Sequence, residues 1–337
     1  MDEARPSDPM KRTGTLRWRA FLPLVGLVLL VALPFVAQAF GQSALTSLAT
    51  RMLILAIAAS ALNIALGLGG LVSFGHAAFY GVGAYAVGIL TTHGASGMPF
   101  LGFVPGSEQL AFNLLVAMAA SGIVAGIIGA LALRTSGVQF IMITLAFAQM
   151  LFFFFVALKA YGGDDGLSMR RRNALPGLNM RDDVTFYFVS LTILLVWLGV
   201  SARLFHSRFG LLLGGIRQSE RRMQAIGVPT IRYRWLAFVL SGMGTGLAGG
   251  LMAVFGRFVS PDMMHWTQSG ELLIMVVLGG AGTIFGPVLG AFALIGLETL
   301  LAGWTEHWQI ILGPALVLMA LTFRGGLARL GRPEQGP

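Results

Sequence analysis

The chain has no cysteine in 337 residues. That excludes a disulfide framework, a thiolate nucleophile and a cysteine metal site. Lysine is nearly missing too. Only Lys11 and Lys159 occur, and neither precedes serine or threonine, so there is no P-loop to cradle ATP. Charge is scarce, at 11% of residues against about 25% in a soluble domain. The five histidines, at 76, 93, 206, 265 and 307, include no i, i+4 pair, and no paired acids share a helix, so an enzyme or metal centre finds little support. What fills the chain instead is apolar: 56% hydrophobic residues and a mean hydropathy of +0.79, the composition of a polytopic membrane protein. The net charge of +9 comes from arginines near the ends of apolar runs. There they set topology and meet anionic lipid, and they do not call for nucleic acid.

A bilayer-crossing helix takes about 20 mostly apolar residues. Runs of that kind cover 20–40, 46–67, 74–92, 110–133, 138–159, 184–205, 235–256 and 308–324. The stretch 271–302 is apolar throughout but split at 279–287, and reads either as two short spans or as a re-entrant hairpin. The expected class is therefore an all-α polytopic membrane protein of about 8–10 helices, with broken, glycine-rich segments. Its parts are a basic N-terminus (1–19), one transmembrane domain (20–324) holding a long connection at 206–234, and a C-terminal tail (325–337). The basic stretch 11–19 before an apolar run mimics a signal peptide, but the run lacks a clear small-residue cleavage site and reads as a retained span. Arginines cluster at the N-terminus, in 203–234 and at the C-terminus, and counting spans puts all three on the cytoplasmic side. The loop 160–183 dissents. It falls outside by this count yet holds Arg170, Arg171, Arg172 and Arg181.

Residues 63–85 read NIALGLGGLVSFGHAAFYGVGAY, with glycine at 67, 69, 70, 75, 81 and 83. Glycine inside a helix costs about 1 kcal/mol relative to alanine. A membrane segment keeps that cost where helices pack through small residues, or where the helix breaks to line a path. LGGLVSFG (68–75) returns as LGGAGTIFG (278–286), a pairing of interrupted segments that points to a site between inverted repeats. On this reading Asn63, Gly69, Gly70, Ser73, Phe74, Gly75, His76, Phe79, Gly279, Gly280, Phe285 and Gly286 are pathway candidates. The amides of Gly69, Gly70, Gly279 and Gly280 are expected to face a carboxylate, and Phe74, Phe79 and Phe285 to wall an apolar side chain. The competing view is a permissive path with no defined site. A lone histidine at 76 reads first as a packing or hydrogen-bonding group. Gly75→Leu is expected to abolish uptake while assembly survives.

In the long connection, SERRMQAI makes about two helical turns. Ser219 is its N-cap candidate, Glu220 suits the dipole, and Gly227 followed by Pro229 ends it. A short exposed helix between spans suits docking into another protein, against the simpler reading of a topogenic basic loop.

Six motifs then converge: LNIALGLGGLVSFGHAAFYGVGAY (62–85), GGDDGL (162–167), IRQSE with AIGV (216–228), AFVLSGMGTGLAGGL (237–251), FVSPD (258–262) and MVVLGGAGTIFGPVLGA (275–291). With them, about 45–330 of the chain resembles the permease subunits of ABC importers for branched-chain amino acids, of the M type. The resemblance implies a bacterial inner-membrane protein with both termini cytoplasmic and no cofactor. It implies a second, H-type permease, two cytoplasmic ATP-binding subunits and an extracytoplasmic substrate-binding protein as partners. It makes 208–227 the coupling helix, with Arg217, Glu220, Arg221, Arg222 and Gly227 as ATPase-coupling positions. Arg222 and Met223 depart from the alanines usual there. Gly163, Asp164, Asp165 and Gly166 become a loop on the binding-protein side. Leu, Ile and Val are the implied substrates, with urea, short amides and other amino acids as alternatives. A stand-alone ion-coupled carrier is the other reading, though few ionisable groups (Arg51, His76, Glu271, Glu298) fall within the spans to serve it.

Overall fold

The computed structural model describes the backbone of residues 11–97, 106–305, 307–322 and 326–327, and most of their side chains from residue 25 onward. The 325–337 tail thus lies almost wholly outside the described residues. The chain divides into two compact units, Met1–Ala49 and Thr50–Pro337. The first carries α1 (Lys11–Ala39) and the opening of α2 (Ser43–Asn63). The basic stretch 11–19, expected ahead of the first span, is helical and continuous with it, since nothing between Arg19 and Ala20 stops a helix.

The second unit continues with α3 (His76–Ser96), α4 (Leu110–Ala132), α5 (Val138–Ala157), α6 (Asp183–Phe205), α7 (Arg208–Gln218), α8 (Glu220–Ala225), α9 (Thr230–Gly256), α10 (Trp266–Gly279), α11 (Gly286–Ala302) and α12 (Trp308–Thr322). A two-residue antiparallel ladder pairs Leu167 with Val259 and Ser168 with Phe258. Among the described residues five stretches are long and apolar enough to cross a membrane: Ser43–Leu68, Leu110–Ala132, Val138–Ala157, Asp183–Phe205 and Thr230–Gly256. The chain is an all-α polytopic membrane protein.

Burial sorts these helices into an inner and an outer set. The most apolar window of Ser43–Leu68 is 89% buried and that of α9 72%, whereas that of α5 is 17% buried and turns Val138, Met142, Met150, Phe153 and Phe154 outward. An outer helix must be apolar because lipid is its solvent. α3 falls outside the apolar set despite the expected span at 74–92. It carries His76, Tyr80 and Tyr85, all buried, and packs against α4 and α9, so protein rather than lipid surrounds it. Rings of Phe79, Phe140 and Phe238 meet edge-to-face at 5.4 and 5.8 Å, within a cluster that includes Leu71 and Ile128.

Two expectations change here. The split segment 271–302 forms α10 and α11, which pack on each other, and α10 begins earlier, at Trp266. Its 14 residues make about 21 Å of helix, short of a hydrocarbon core of about 30 Å, which weighs for the re-entrant alternative. The connection 206–234, read as a loop with one short helix, holds two. α7 forms because Ser207 Oγ accepts from the Gly210 amide and because Leu213 and Ile216 are buried. Three glycines in its eleven residues hide it from propensity.

α6 starts with a polar lock. Asp182 accepts from the Thr185 amide at 3.1 Å and from its hydroxyl at 2.9 Å. These hydrogen bonds, the hydroxyl's first, hold its carboxyl below the ordinary carboxylate range. A depressed carboxyl contributes stability above its unfolded pKa and loses it as pH falls through the folded one. Asp182→Ala should therefore cost about 0.5–2 kcal/mol at pH 7 and less in acid, where the carboxylate charge is gone, read as thermal unfolding of the two proteins against pH.

Candidate translocation site

The two interrupted segments meet. α2 ends in a π-helical turn, Ile64–Leu68, and the chain runs non-helically to α3, while α10 and α11 are separated by 280–285. Asn63, buried at the end of α2, donates through Nδ2 to the Thr283 carbonyl at 2.8 Å. Its Oδ1 accepts from the Gly282 amide at 2.8 Å. Gly67 must be glycine, since an added Cβ would stand 2.1 Å from Asn63 Oδ1 and 2.6 Å from the Gly282 nitrogen. The pair of segments singled out as a repeat is thus in direct contact, across 219 residues of sequence.

Their amides, however, are occupied. Gly69 and Gly70 both donate to the Leu66 carbonyl and Gly280 to that of Val276. Gly75 donates to Ser73 Oγ, and Gly286 to Thr283 Oγ1. At the start of α3, Ala77 donates to Ser269 Oγ of α10, which in turn donates to the Phe74 carbonyl. The expectation that Gly69, Gly70 and Gly280 offer free donors to a carboxylate is corrected: breaking a helix inside apolar surroundings forces each freed group to find an internal partner. Gly279 closes the α10–α11 hairpin instead, its Cβ position 1.8 Å from the Gly286 oxygen.

The aromatic candidates separate. Phe79 is buried in the core, Phe74 is half-buried beside Gly270, and Phe285 is exposed. His76 lies wholly inside, edge-to-face with Phe79 and Phe238. Its Nε2 is 2.8 Å from Ser241 Oγ, and that hydroxyl donates to the Ala61 carbonyl at 2.7 Å, a chain that ties α3 to α9 and α2. A Cβ added at Gly75 would stand 3.3 Å from Thr144 of α5, so Gly75→Leu would part the start of α3 from α5 and report on packing before it reported on a pore. Arg51 of α2 and Glu298 of α11 form a pair at 4.0 Å.

In the hairpin, Ser219 is the N-cap of α8, accepting from the Arg222 amide at 3.4 Å, and Gly227 follows its end in the left-handed region. Arg221, Arg222 and Gly227 are exposed. Glu220 is turned inward: it accepts from Thr230 Oγ1 at 3.1 Å and from Arg234 at 3.0 Å, which pins α8 to the start of α9. Arg217 is exposed, yet its guanidinium donates to the Gly67 carbonyl. Met223 lays its sulfur on Gly215, closing α7 onto α8. Leu211 and Ile226 stand 72% exposed, more open than most of the apolar surface. Thr230 and Leu211 carried no sequence signal, and Arg234 only a topogenic one, because their role depends on how the hairpin folds back.

At the other end of α6, GGDDGL makes a tight turn. The Gly163 amide donates to the Leu158 carbonyl and Gly166 abuts the Val259 carbonyl, while Asp164 and Asp165 are exposed. Three of the dissenting arginines meet there. Arg170, Arg171 and Arg172 all line a cavity of about 470 Å³ with Glu108, Thr91, Thr92 and Ser96, and Arg172 is also fixed by Asp183 at 2.8 Å and by the Phe186 ring at 5.0 Å.

Over residues 44–321 the chain matches the family described as branched-chain amino acid transport system / permease component. It is 28% identical over 345 residues to the high-affinity branched-chain amino acid transport system permease protein LivM of Escherichia coli K12, covering 95% of this chain and 77% of that one. The LivM of Salmonella typhimurium is likewise 28% identical over 349 residues, with the same coverage. LivH of Salmonella typhimurium is 28% identical over a shorter stretch, 131 residues, 38% of this chain and 42% of its own length. No solved structure is significantly similar. The family match takes in both broken segments, the contact between them and the hairpin against it, and the chain belongs to the branched-chain amino acid transport system permease family, with its long likeness to the M-type member.

Proposed function

We propose that this permease works as the M-type subunit of an ABC importer. It forms, with a second, H-type permease, the path for leucine, isoleucine and valine. Two cytoplasmic ATP-binding subunits drive it and an extracytoplasmic binding protein delivers substrate. Residues 20–324 act as one permease domain in the bacterial inner membrane, with both termini and the 206–234 connection cytoplasmic. Asp164 and Asp165 face the binding protein.

One observation carries the reading. A compact helical hairpin, rigidified by Glu220–Arg234 and Met223–Gly215, presents Arg221, Arg222, Leu211 and Ile226 outward and is bonded through Arg217 to the first broken segment, beside the second. Exposed apolar side chains beside guanidinium groups make a docking surface, and the inward contact gives a docked motor something to move. An ion-coupled carrier fits less well, since Glu298 has Arg51 beside it and a paired carboxylate is a poor proton carrier. With the glycine amides satisfied internally, the path favours permissive passage over a defined site, and selectivity falls to the binding protein.

The test is affinity purification of the tagged chain from its host in mild detergent, with mass spectrometry of what accompanies it. A second permease and ATP-binding subunits should come with it. The double variant R222E/I226E should keep the permease and lose the ATP-binding subunits, because charge reversal and a buried carboxylate at a docking centre each cost on the order of 2 kcal/mol. A chain that purifies alone under several gentle conditions would bring the ion-coupled reading forward. Competition of labelled leucine uptake by isoleucine and valine, against urea and acetamide, then identifies the substrate class.

A further inference from the structure

Arg217 lies in the last turn of α7, within the stretch assigned to the ATPase, and though exposed it reaches back to the first broken segment. Its stem lies over Gly70: a Cβ there would be 3.1 Å from Arg217 Cγ. Its Nη1 donates to the Gly67 carbonyl, and the Cβ position of Gly282 is 3.5 Å from the same nitrogen. One guanidinium is therefore bonded to the first broken segment and lies beside the second, at the point where Asn63 joins them.

The chemistry explains why an arginine is there. The π turn ends α2, and the last carbonyls of a helix have no partner in the helix itself. They also form the negative end of its dipole, which favours a cation close by. A guanidinium answers both needs with a charge-assisted bond. The other end of the lever is equally defined. Ser219 links α7 directly to α8, Met223 seals the two together, and Glu220 with Arg234 holds α8 against α9. A displacement imposed on the outer face at Arg222 and Ile226 then has a short covalent and packed route to Gly67.

We infer that Arg217 is the positioning residue through which the α7–α8 hairpin moves the two broken segments, acting on the backbone at Gly67. The inference rests on the importer reading of the hairpin, but the clasp itself is a property of this chain alone.

Two measurements separate the clasp from the importer. In the reconstituted complex, Arg217→Ala should keep its ATP-binding subunits and its ATP hydrolysis, while uptake per ATP falls about tenfold, the scale of one lost charge-assisted hydrogen bond. Arg217→Lys, which keeps a donor and the charge, should recover part of it, as a general loss of packing would not allow. Wild-type uptake in Arg217→Ala, or loss of the ATP-binding subunits from it, overturns the inference. The second measurement is hydrogen exchange on the full chain in detergent, which needs no partner. Arg217→Ala should speed exchange at Gly70, Leu71 and Gly282, with α4 and α5 unchanged, and Arg217→Lys should do so less. Unaltered exchange at those amides overturns the clasp. Faster exchange with no ATPase ever recovered leaves the clasp standing and removes the importer reading alone.

Discussion

Gly249→Ala should destabilise the chain by about 3 kcal/mol or more, the upper range for overpacking, because the clash is with backbone. The new Cβ would stand 1.8 Å from the Tyr80 oxygen and 2.7 Å from its carbonyl carbon. No rotamer relieves that contact, so α9 must move off α3 and give up the close approach that its glycines permit. Gly83 makes the same demand from α3, its Cβ position 2.1 Å from the Gly246 oxygen. Such crossings draw their stability from van der Waals packing, which falls away steeply with distance. Gly199→Ala on α6 is the internal control. Nothing lies within 4 Å of its Cβ position, so alanine there should be neutral or stabilise by up to about 1 kcal/mol. Thermal unfolding of the purified variants in one detergent decides the matter. Equal midpoints for the two variants would remove the α3–α9 crossing from the account.

Asn63→Leu carries the second large effect. Leucine has the branching of asparagine but leaves the Gly282 amide and the Thr283 carbonyl without their partner. Each unsatisfied buried group costs about 1–3 kcal/mol, so the pair should cost about 2–6 kcal/mol. Uptake should fall further than stability, since the lost bonds join the two segments proposed to move together. Asn63→Asp should not rescue: one carboxylate oxygen still accepts from Gly282, but the other faces the Thr283 carbonyl, acceptor against acceptor. Uptake by Asn63→Leu at the wild-type level, in a chain of wild-type thermal stability, would show that the junction between the segments is dispensable.

These effects belong to contacts that no local pattern announces. Asn63 reaches Thr283 across 220 positions and Arg217 reaches Gly67 across 150. Neither pair has a period, a cap or a charge partner in its own neighbourhood. Arg217 illustrates the gap. The family resemblance makes it an ATPase-coupling position, and the fold adds a bond from it to the end of α2. Glu220 was read correctly as an N-terminal carboxylate of a short helix, but its partners Thr230 and Arg234 come from the next span. The glycines of 67–83 also divide by tertiary context. Gly81 and Gly83 serve packing, against Met264 and Gly246, whereas Gly67 serves the junction of the breaks.

Composition and apolar period alone determined that this is an all-α membrane protein, where its long helices run, and that two glycine-rich breaks repeat along it. They suffice because lipid allows only structures that satisfy their own backbone, and about 20 apolar residues in a row leave little choice but a helix. The capped start of α8 was legible for a similar reason, since caps are set within a few residues of chain. Only the tertiary structure decided that the breaks touch, that their amides are already bonded, that α3 is sheathed by protein, and that a hidden helix α7 carries an arginine to the junction. Those outcomes depend on which distant surfaces bury one another, and the free energy of that choice is held by pairs of residues that the sequence keeps far apart.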